Sequence, residues 1–134
     1  MTPDQQSLVA AATAARERAY APYSRFRVGA AVRAGGQIYA GCNVENASYG
    51  LSICAERAAV FAAVAAGQTH IEAVAVVTDT PEPTMPCGAC RQVLREFGPR
   101  LEVIAATVGG ATILTNLSDL LPASFGKESL GGTV

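Results

Sequence analysis

The sequence predicts an α/β domain, a three-layer α/β/α sandwich built on a mixed five-stranded sheet. Three observations carry that expectation. Helical periodicity and β-type runs alternate along a chain of 134 residues, a length that fits one domain spanning residues 1–134. The run Ile71-Glu72-Ala73-Val74-Ala75-Val76-Val77-Thr78 is nearly continuous in β-forming apolar residues, as a strand covered on both faces must be. Two glycine pairs, Gly35-Gly36 and Gly109-Gly110, join β-type runs through links too short for a parallel return, so both pairs read as antiparallel.

Thr2-Pro3-Asp4-Gln5 has the form of a helix start, with Thr2 as N-cap, Pro3 at the first helical position and Gln5 closing a capping box. Leu8, Ala11, Ala12, Ala15 and Ala19 follow at helical spacing, and Pro22 ends the run. This opening helix is expected to cover one face of the sheet. A hairpin follows, from Phe26 to Val32 and back from Gln37 to Val44, in which Gly29, Ala30 and Ala31 suit a strand approached closely by a helix or another subunit. The helix from Cys54 to Ala66 stops at Gly67 and is apolar on every face beyond Arg57, which predicts burial all round, neighbouring subunits included. The run 71–78, opened by an exposed His70, is expected at the centre of the sheet. A loop carrying Pro81, Pro83 and Pro86 leads into a helix that begins at Cys87–Cys90 and ends near Phe97-Gly98. Strands over Leu101–Ala106 and Ala111–Leu114, a short helix over Asp119–Leu121 and a frayed Gly131-Gly132-Thr133-Val134 complete the chain.

Composition narrows the function classes. With 10 Lys+Arg against 11 Asp+Glu, a net charge of -1 gives no general attraction for nucleic acid or an anionic membrane. The expected partner is a small molecule without strong charge. Half of the residues are hydrophobic and 16% are charged, more apolar surface than a monomer of this size readily hides, so an oligomer is expected. No basic segment followed by an apolar run opens the chain, and a cytoplasmic location is the default. In that setting four cysteines point to a metal or to catalysis rather than to disulfides.

The chemistry concentrates in Cys54-Ala55-Glu56 and Pro86-Cys87-Gly88-Ala89-Cys90. Three cysteines can hold Zn²⁺ and leave a fourth tetrahedral position for water, the open arrangement of a catalytic site. Glu56 supplies a carboxylate able to move a proton beside that position, the arrangement known in zinc deaminases. At a helix entry, Cys87 and Cys90 can aim both sulfurs one way, and the free N–H groups there favour thiolate. Cys54 and Glu56, two apart, share a side only if Cys54 stands at the helix entry as well. Three thiolates on Zn²⁺ leave a charge of -1, for which Arg57 is the first compensating candidate and Arg91 the second. Two other readings stay open on the residues alone: a redox use of Cys87-Gly88-Ala89-Cys90, and a structural zinc site that takes Cys42 as fourth ligand.

Over nearly its whole length the chain resembles the small homotetrameric cytidine deaminases. The resemblance rests on Tyr20-Ala21-Pro22-Tyr23-Ser24 with Phe26-Arg27-Val28-Gly29-Ala30-Ala31, on the stretch Gly41-Cys42-Asn43-Val44-Glu45-Asn46-Ala47-Ser48-Tyr49-Gly50, and on Cys54-Ala55-Glu56-Arg57 and Pro86-Cys87-Gly88-Ala89-Cys90-Arg91-Gln92. Met85 departs from it, standing where many relatives carry a small polar residue. The resemblance implies a cytidine deaminase-like fold and hydrolysis of cytidine and deoxycytidine to uridine and deoxyuridine with release of ammonia, in pyrimidine salvage. It implies one Zn²⁺ per subunit on Cys54, Cys87 and Cys90, with Glu56 carrying protons and Arg57 behind the metal. Substrate contacts are implied for Phe26 at the base, Asn43 and Glu45 at the ribose 3′-hydroxyl, Ala55, and Phe125 reaching into a neighbouring subunit of a homotetramer. Competing readings are a deaminase of a cytosine-nucleoside antibiotic, without need of the Asn43 and Glu45 grip, and a non-catalytic zinc module, tolerant of loss of Glu56.

Overall fold

The computed structural model describes residues 1–131; of the end expected to fray, Gly131 is among them, its N–H donating to the Glu128 carbonyl at 3.1 Å, and Gly132, Thr133 and Val134 lie outside them. Helix α1 (Pro3–Arg16) begins as its sequence dictates: Gln5 N–H donates to Thr2 Oγ1 at 3.2 Å and Thr2 N–H to Gln5 Oε1 at 2.8 Å. It ends well before Pro22, so Ala19 lies beyond it. Strands β1 (Val28–Ala34) and β2 (Gln37–Cys42) form the first hairpin, with Gly35 and Gly36 at φ 58° and 76°, the left-handed pair that a two-residue turn of this hand needs. Phe26, Arg27, Asn43 and Val44 fall outside these strands. Then come α2 (Ala55–Ala65), β3 (Ala73–Thr78), α3 (Gly88–Phe97), β4 (Glu102–Thr107), β5 (Thr112–Asn116) and α4 (Leu117–Leu120).

The sheet order is β2-β1-β3-β4-β5, with β3 and β4 parallel and the other neighbours antiparallel. As expected, β3 is central and every residue in it is buried. It is shorter at its start than the run suggests. Ile71 and Glu72 instead donate their N–H groups to the carbonyls of Phe97 and Arg33, which ties the entry to neighbouring elements, and His70 is exposed before it.

Alternation along the strands divides the core into two layers. Leu8 and Ala12 of α1 pack on Ala31, Ala75, Val77 and Ile104, whereas Ala59, Val60 and Ala63 of α2 and Leu94 of α3 pack on Ala30, Val32, Val74, Val76 and Val103. Helices therefore cover both faces, as an α/β/α sandwich requires. This chain alone does not bury α2 all round: among the described residues Phe61 is left 50% and Val64 36% exposed, a side for which the expected cover is a neighbouring subunit.

Small residues set how near the helices come. A Cβ at Gly29 would stand 1.9 Å from the Ala12 carbonyl of α1, and one at Gly41 would stand 2.5 Å from Ala59 N and 2.9 Å from Ala55 O of α2. Gly41 thus lets β2 lie directly against the backbone of the helix that begins at Cys54. Gly41→Ala is expected to push α2 outward and lower stability by about 1–3 kcal/mol, the usual cost of overpacking, read as a lowered urea midpoint at unchanged m-value.

Candidate active site

Two helix starts converge on one point. Cys54 is the N-cap of α2, with φ −72° and ψ 153°, and Cys87 is the N-cap of α3, with φ −67° and ψ 167°. Both cysteines are extended, so neither side chain is directed by helical geometry; this is how Cys54 and Glu56 come to one site although they are two apart. Cys90 stands in the first turn of α3, where its N–H donates to Cys87 Sγ at 3.5 Å. The three sulfurs lie within 4.8 Å of one another. Cys42 is outside this cluster, opposite Gly29 at the end of β2, and is half-buried. A fourth sulfur for a closed structural site is thereby lacking among the described residues.

The donor set fits zinc. Three soft sulfur ligands, which a tetrahedral ion binds at about 2.3 Å, stand at two helix N-termini that favour negative charge. Arg57 Nη2 donates to Cys54 Sγ at 3.3 Å, as a compensating cation should. Its Nε–H is buried without a partner among the described residues, a spare donor on a side chain already bonded to the cluster. Arg91 does something else: Nε donates to the Pro86 carbonyl at 2.7 Å and Nη1 to the Leu120 carbonyl at 2.9 Å, so it fastens the loop before Cys87 to the end of α4.

Charge is unevenly shared in the cluster. The neighbouring Cys90 thiol, and after it Arg57, hold Cys54 well below the ordinary thiol range. Beside that thiolate the Cys90 thiol is pushed upward, and its burial adds to the effect. Glu56 is 5% exposed, and burial pushes its carboxyl up to about 7 despite a hydrogen bond from its own backbone and the nearby Arg57.

A cavity of roughly 250 Å³ opens onto Cys54, Ala55, Glu56 and Cys87, and Phe26, Asn43 and Glu45 line it too. Its apolar walls are Val28, Ile53, Val76 and Met85. Sequence reading had no place for Thr78 and Thr84, which also line it and whose hydroxyls meet at 3.4 Å; the one available signal was a threonine closing an otherwise apolar central strand. Cys90 lies fully buried behind the cavity. Phe125 is not in it. That ring is 60% exposed, with its backbone carbonyl held by Gln92 Nε2 at 2.9 Å.

Asn43 and Glu45 are engaged before any ligand arrives. Asn43 Oδ1 accepts from Val28 N–H at 2.8 Å and Nδ2 donates to the Phe26 carbonyl at 2.7 Å. Glu45 Oε1 accepts from the N–H groups of Tyr23 and Ser24 at 2.9 and 3.1 Å, while Oε2 accepts from the Ser24 hydroxyl; that hydroxyl is the first cause holding the carboxyl below its ordinary range. An amide has a second N–H and a second lone pair, and a carboxylate about four acceptor sites, so both keep capacity for a ligand hydroxyl.

The family described as "Cytidine and deoxycytidylate deaminase zinc-binding region" matches residues 2–106. The chain belongs to that family. It is 48% identical over 129 residues to the cytidine deaminase of Sporosarcina psychrophila, covering 95% of both, and 47% identical over 129 residues to that of Halalkalibacterium halodurans, covering 95% of this chain and 98% of the relative. The crystal structure of cytidine deaminase from Burkholderia pseudomallei superposes with a TM-score of 0.87 at 53% identity, over 93% of this chain and 100% of that one. The fold is accordingly that of the cytidine deaminases, and the family's metal is zinc.

The raised carboxyl of Glu56 has a measurable consequence in metal-free protein. Its folded pKa of about 7 exceeds the ordinary 4.5, so the fold favours the protonated form; that contribution is complete below about 4.5 and is lost as pH rises to about 7. Relative to the parent, metal-free Glu56→Gln is expected to gain stability across that window, reaching on the order of 2–3 kcal/mol at pH 8. Urea unfolding of both proteins at pH 4, 6 and 8 checks this; a constant difference would mean that Glu56 does not titrate there.

Proposed function

We propose that the protein is a zinc-dependent enzyme that hydrolyses cytidine and deoxycytidine to uridine and deoxyuridine, releasing ammonia, in pyrimidine salvage. One observation carries the reading: the buried Glu56 carboxyl and the sulfurs of Cys54 and Cys87 open into the same cavity as Asn43 and Glu45, so acid–base chemistry, metal and sugar-binding groups share one space. An antibiotic nucleoside without a ribose grip would leave those last two without a ligand.

Cys54, Cys87 and Cys90 hold the ion, one per subunit, and Arg57 offsets the charge of the three thiolates. Zinc when bound supplies Lewis acidity, which makes water a competent nucleophile at neutral pH. Phe26 lies against the base. The N–H of Ala55, at the first position of α2, has no intrahelical acceptor and suits the ring carbonyl. Asn43 and Glu45 bind the ribose 3′-hydroxyl with their remaining capacity. Glu56 then moves two protons. Its carboxylate takes one from the attacking water and delivers it to ring N3, which leaves C4 electrophilic for addition of the oxygen. It next takes the proton of the newly added hydroxyl and passes it to the exocyclic amine, which departs as ammonia. A buried carboxyl that opens into the cavity can both take and give a proton at the bound ring.

The assembly is a homotetramer. Phe61 and Val64 on α2, and Tyr49 and Leu51 before it, are exposed apolar side chains that further copies can bury, and Phe125 is exposed and able to enter a neighbour's cavity. No helix among the described residues is long and apolar enough to cross a membrane. The small, uncharged nucleoside fits a chain of net charge -1, and neither nucleic acid nor a membrane is a partner in this reading; the cytoplasm is its place.

Loss of the ultraviolet absorbance of the cytosine amine tests the function directly. The zinc-loaded parent is expected to turn over both nucleosides, and zinc-loaded Glu56→Ala to fall in kcat by roughly 100- to 10,000-fold. Chelation should abolish activity and added Zn²⁺ restore it. Equal turnover by parent and variant at equal zinc content would remove Glu56 from the chemistry.

A further inference from the structure

We propose that Ser24 is a positioning residue for nucleoside binding, whose hydroxyl sets the orientation of the Glu45 carboxylate toward the sugar. The proposal rests on the reading of Glu45 as a ribose ligand. Ser24 does not line the cavity, and as an exposed serine in a loop it would ordinarily attract no notice. Its bonds set it apart. The hydroxyl oxygen accepts from Phe26 N–H at 3.0 Å, which fixes where the oxygen stands, and its own proton then goes to Glu45 Oε2. The other carboxylate oxygen accepts the backbone N–H groups of Tyr23 and Ser24.

Those two bonds fix Oε1 but leave the carboxylate free to turn about it. The Ser24 hydroxyl removes that freedom, since a third donor on the second oxygen sets the plane of the group. Arg25, between Ser24 and Phe26, has φ 59°, a left-handed conformation unfavourable for a residue with a side chain. The turn is held there by the bonds of its neighbours, with Arg25 N–H donating to the Ala21 carbonyl at 2.9 Å. A strained turn whose serine and backbone converge on a single cavity-lining carboxylate is a device for aiming that carboxylate.

Ser24→Ala tests it with two substrates, cytidine and 3′-deoxycytidine, which lacks the hydroxyl assigned to Glu45. For zinc-loaded Ser24→Ala the KM for cytidine is expected to rise about tenfold, as for loss of a bond that orients a charged group, while kcat stays within about twofold. With 3′-deoxycytidine both constants should stay within about twofold of the parent. Ser24→Thr, which keeps the hydroxyl, should restore the parent KM. A general loosening of the loop would instead shift both substrates alike, and that outcome overturns the proposal, as does a fall in kcat at unchanged KM. Glu45→Gln separates the two levels of inference. If it raises KM for cytidine alone while Ser24→Ala changes neither substrate, Ser24 has no positioning role and the ribose assignment stands. If zinc-loaded parent turns over neither substrate, the deaminase reading itself has failed.

Discussion

Everything in the site depends on two cysteines being extended where helices begin. Because Cys54 and Cys87 are N-caps, their sulfurs are aimed by loop conformation, and the helices that follow then present first-turn residues to the same point. Had Cys54 been one residue inside α2, Glu56 would face roughly 160° or more away from it around the axis. The same placement brings the N–H-rich ends of α2 and α3 to the sulfurs, so the backbone joins Arg57 in favouring thiolate over thiol.

A second constraint runs through the polar residues around the cavity. Asn43, Glu45 and Arg91 each spend side-chain atoms on backbone groups of loops that border the site. Binding and folding therefore draw on the same hydrogen bonds. A kinetic loss at Asn43 or Glu45 measured with one substrate therefore mixes a lost contact with a loosened loop, and only substrates with and without the hydroxyl separate the two. Arg57 is similar in kind. Its guanidinium packs beside the cysteine cluster, so its removal takes away both a charge and a sulfur contact.

Much of this was legible in the sequence, and for identifiable reasons. The capping box of α1, the Gly35-Gly36 hairpin, the all-buried β3 and the antiparallel β4–β5 pair each depend on local chemistry that the residue order displays. The spacing of Cys54, Cys87 and Cys90 pointed to the cluster of three sulfurs. Other features depend on distant parts of the chain. Nothing near Arg91 says that it will meet the Leu120 carbonyl, and nothing near Ser24 says that its hydroxyl will meet a carboxylate 21 residues away. The apolar surround of α2 was read as burial, yet hydrophobicity cannot distinguish a face covered by the chain from one left at the surface.

The sheet order divides the site between two parts of the chain. Phe26, Asn43, Glu45, Cys54 and Glu56 belong to the β1–β2 hairpin and the helix beside it, whereas Thr78, Thr84, Cys87 and Cys90 belong to the parallel β3-α3-β4 crossover. These parts already share the β1–β3 ladder and one core layer, and the sulfurs join them again at the starts of α2 and α3, so an ion bound there is a cross-link between two helix ends. Without it the seam loses its tie while each core layer keeps its own packing. Amide hydrogen exchange in metal-free protein should then quicken first at the opening turns of α2 and α3, with β3 protected as before.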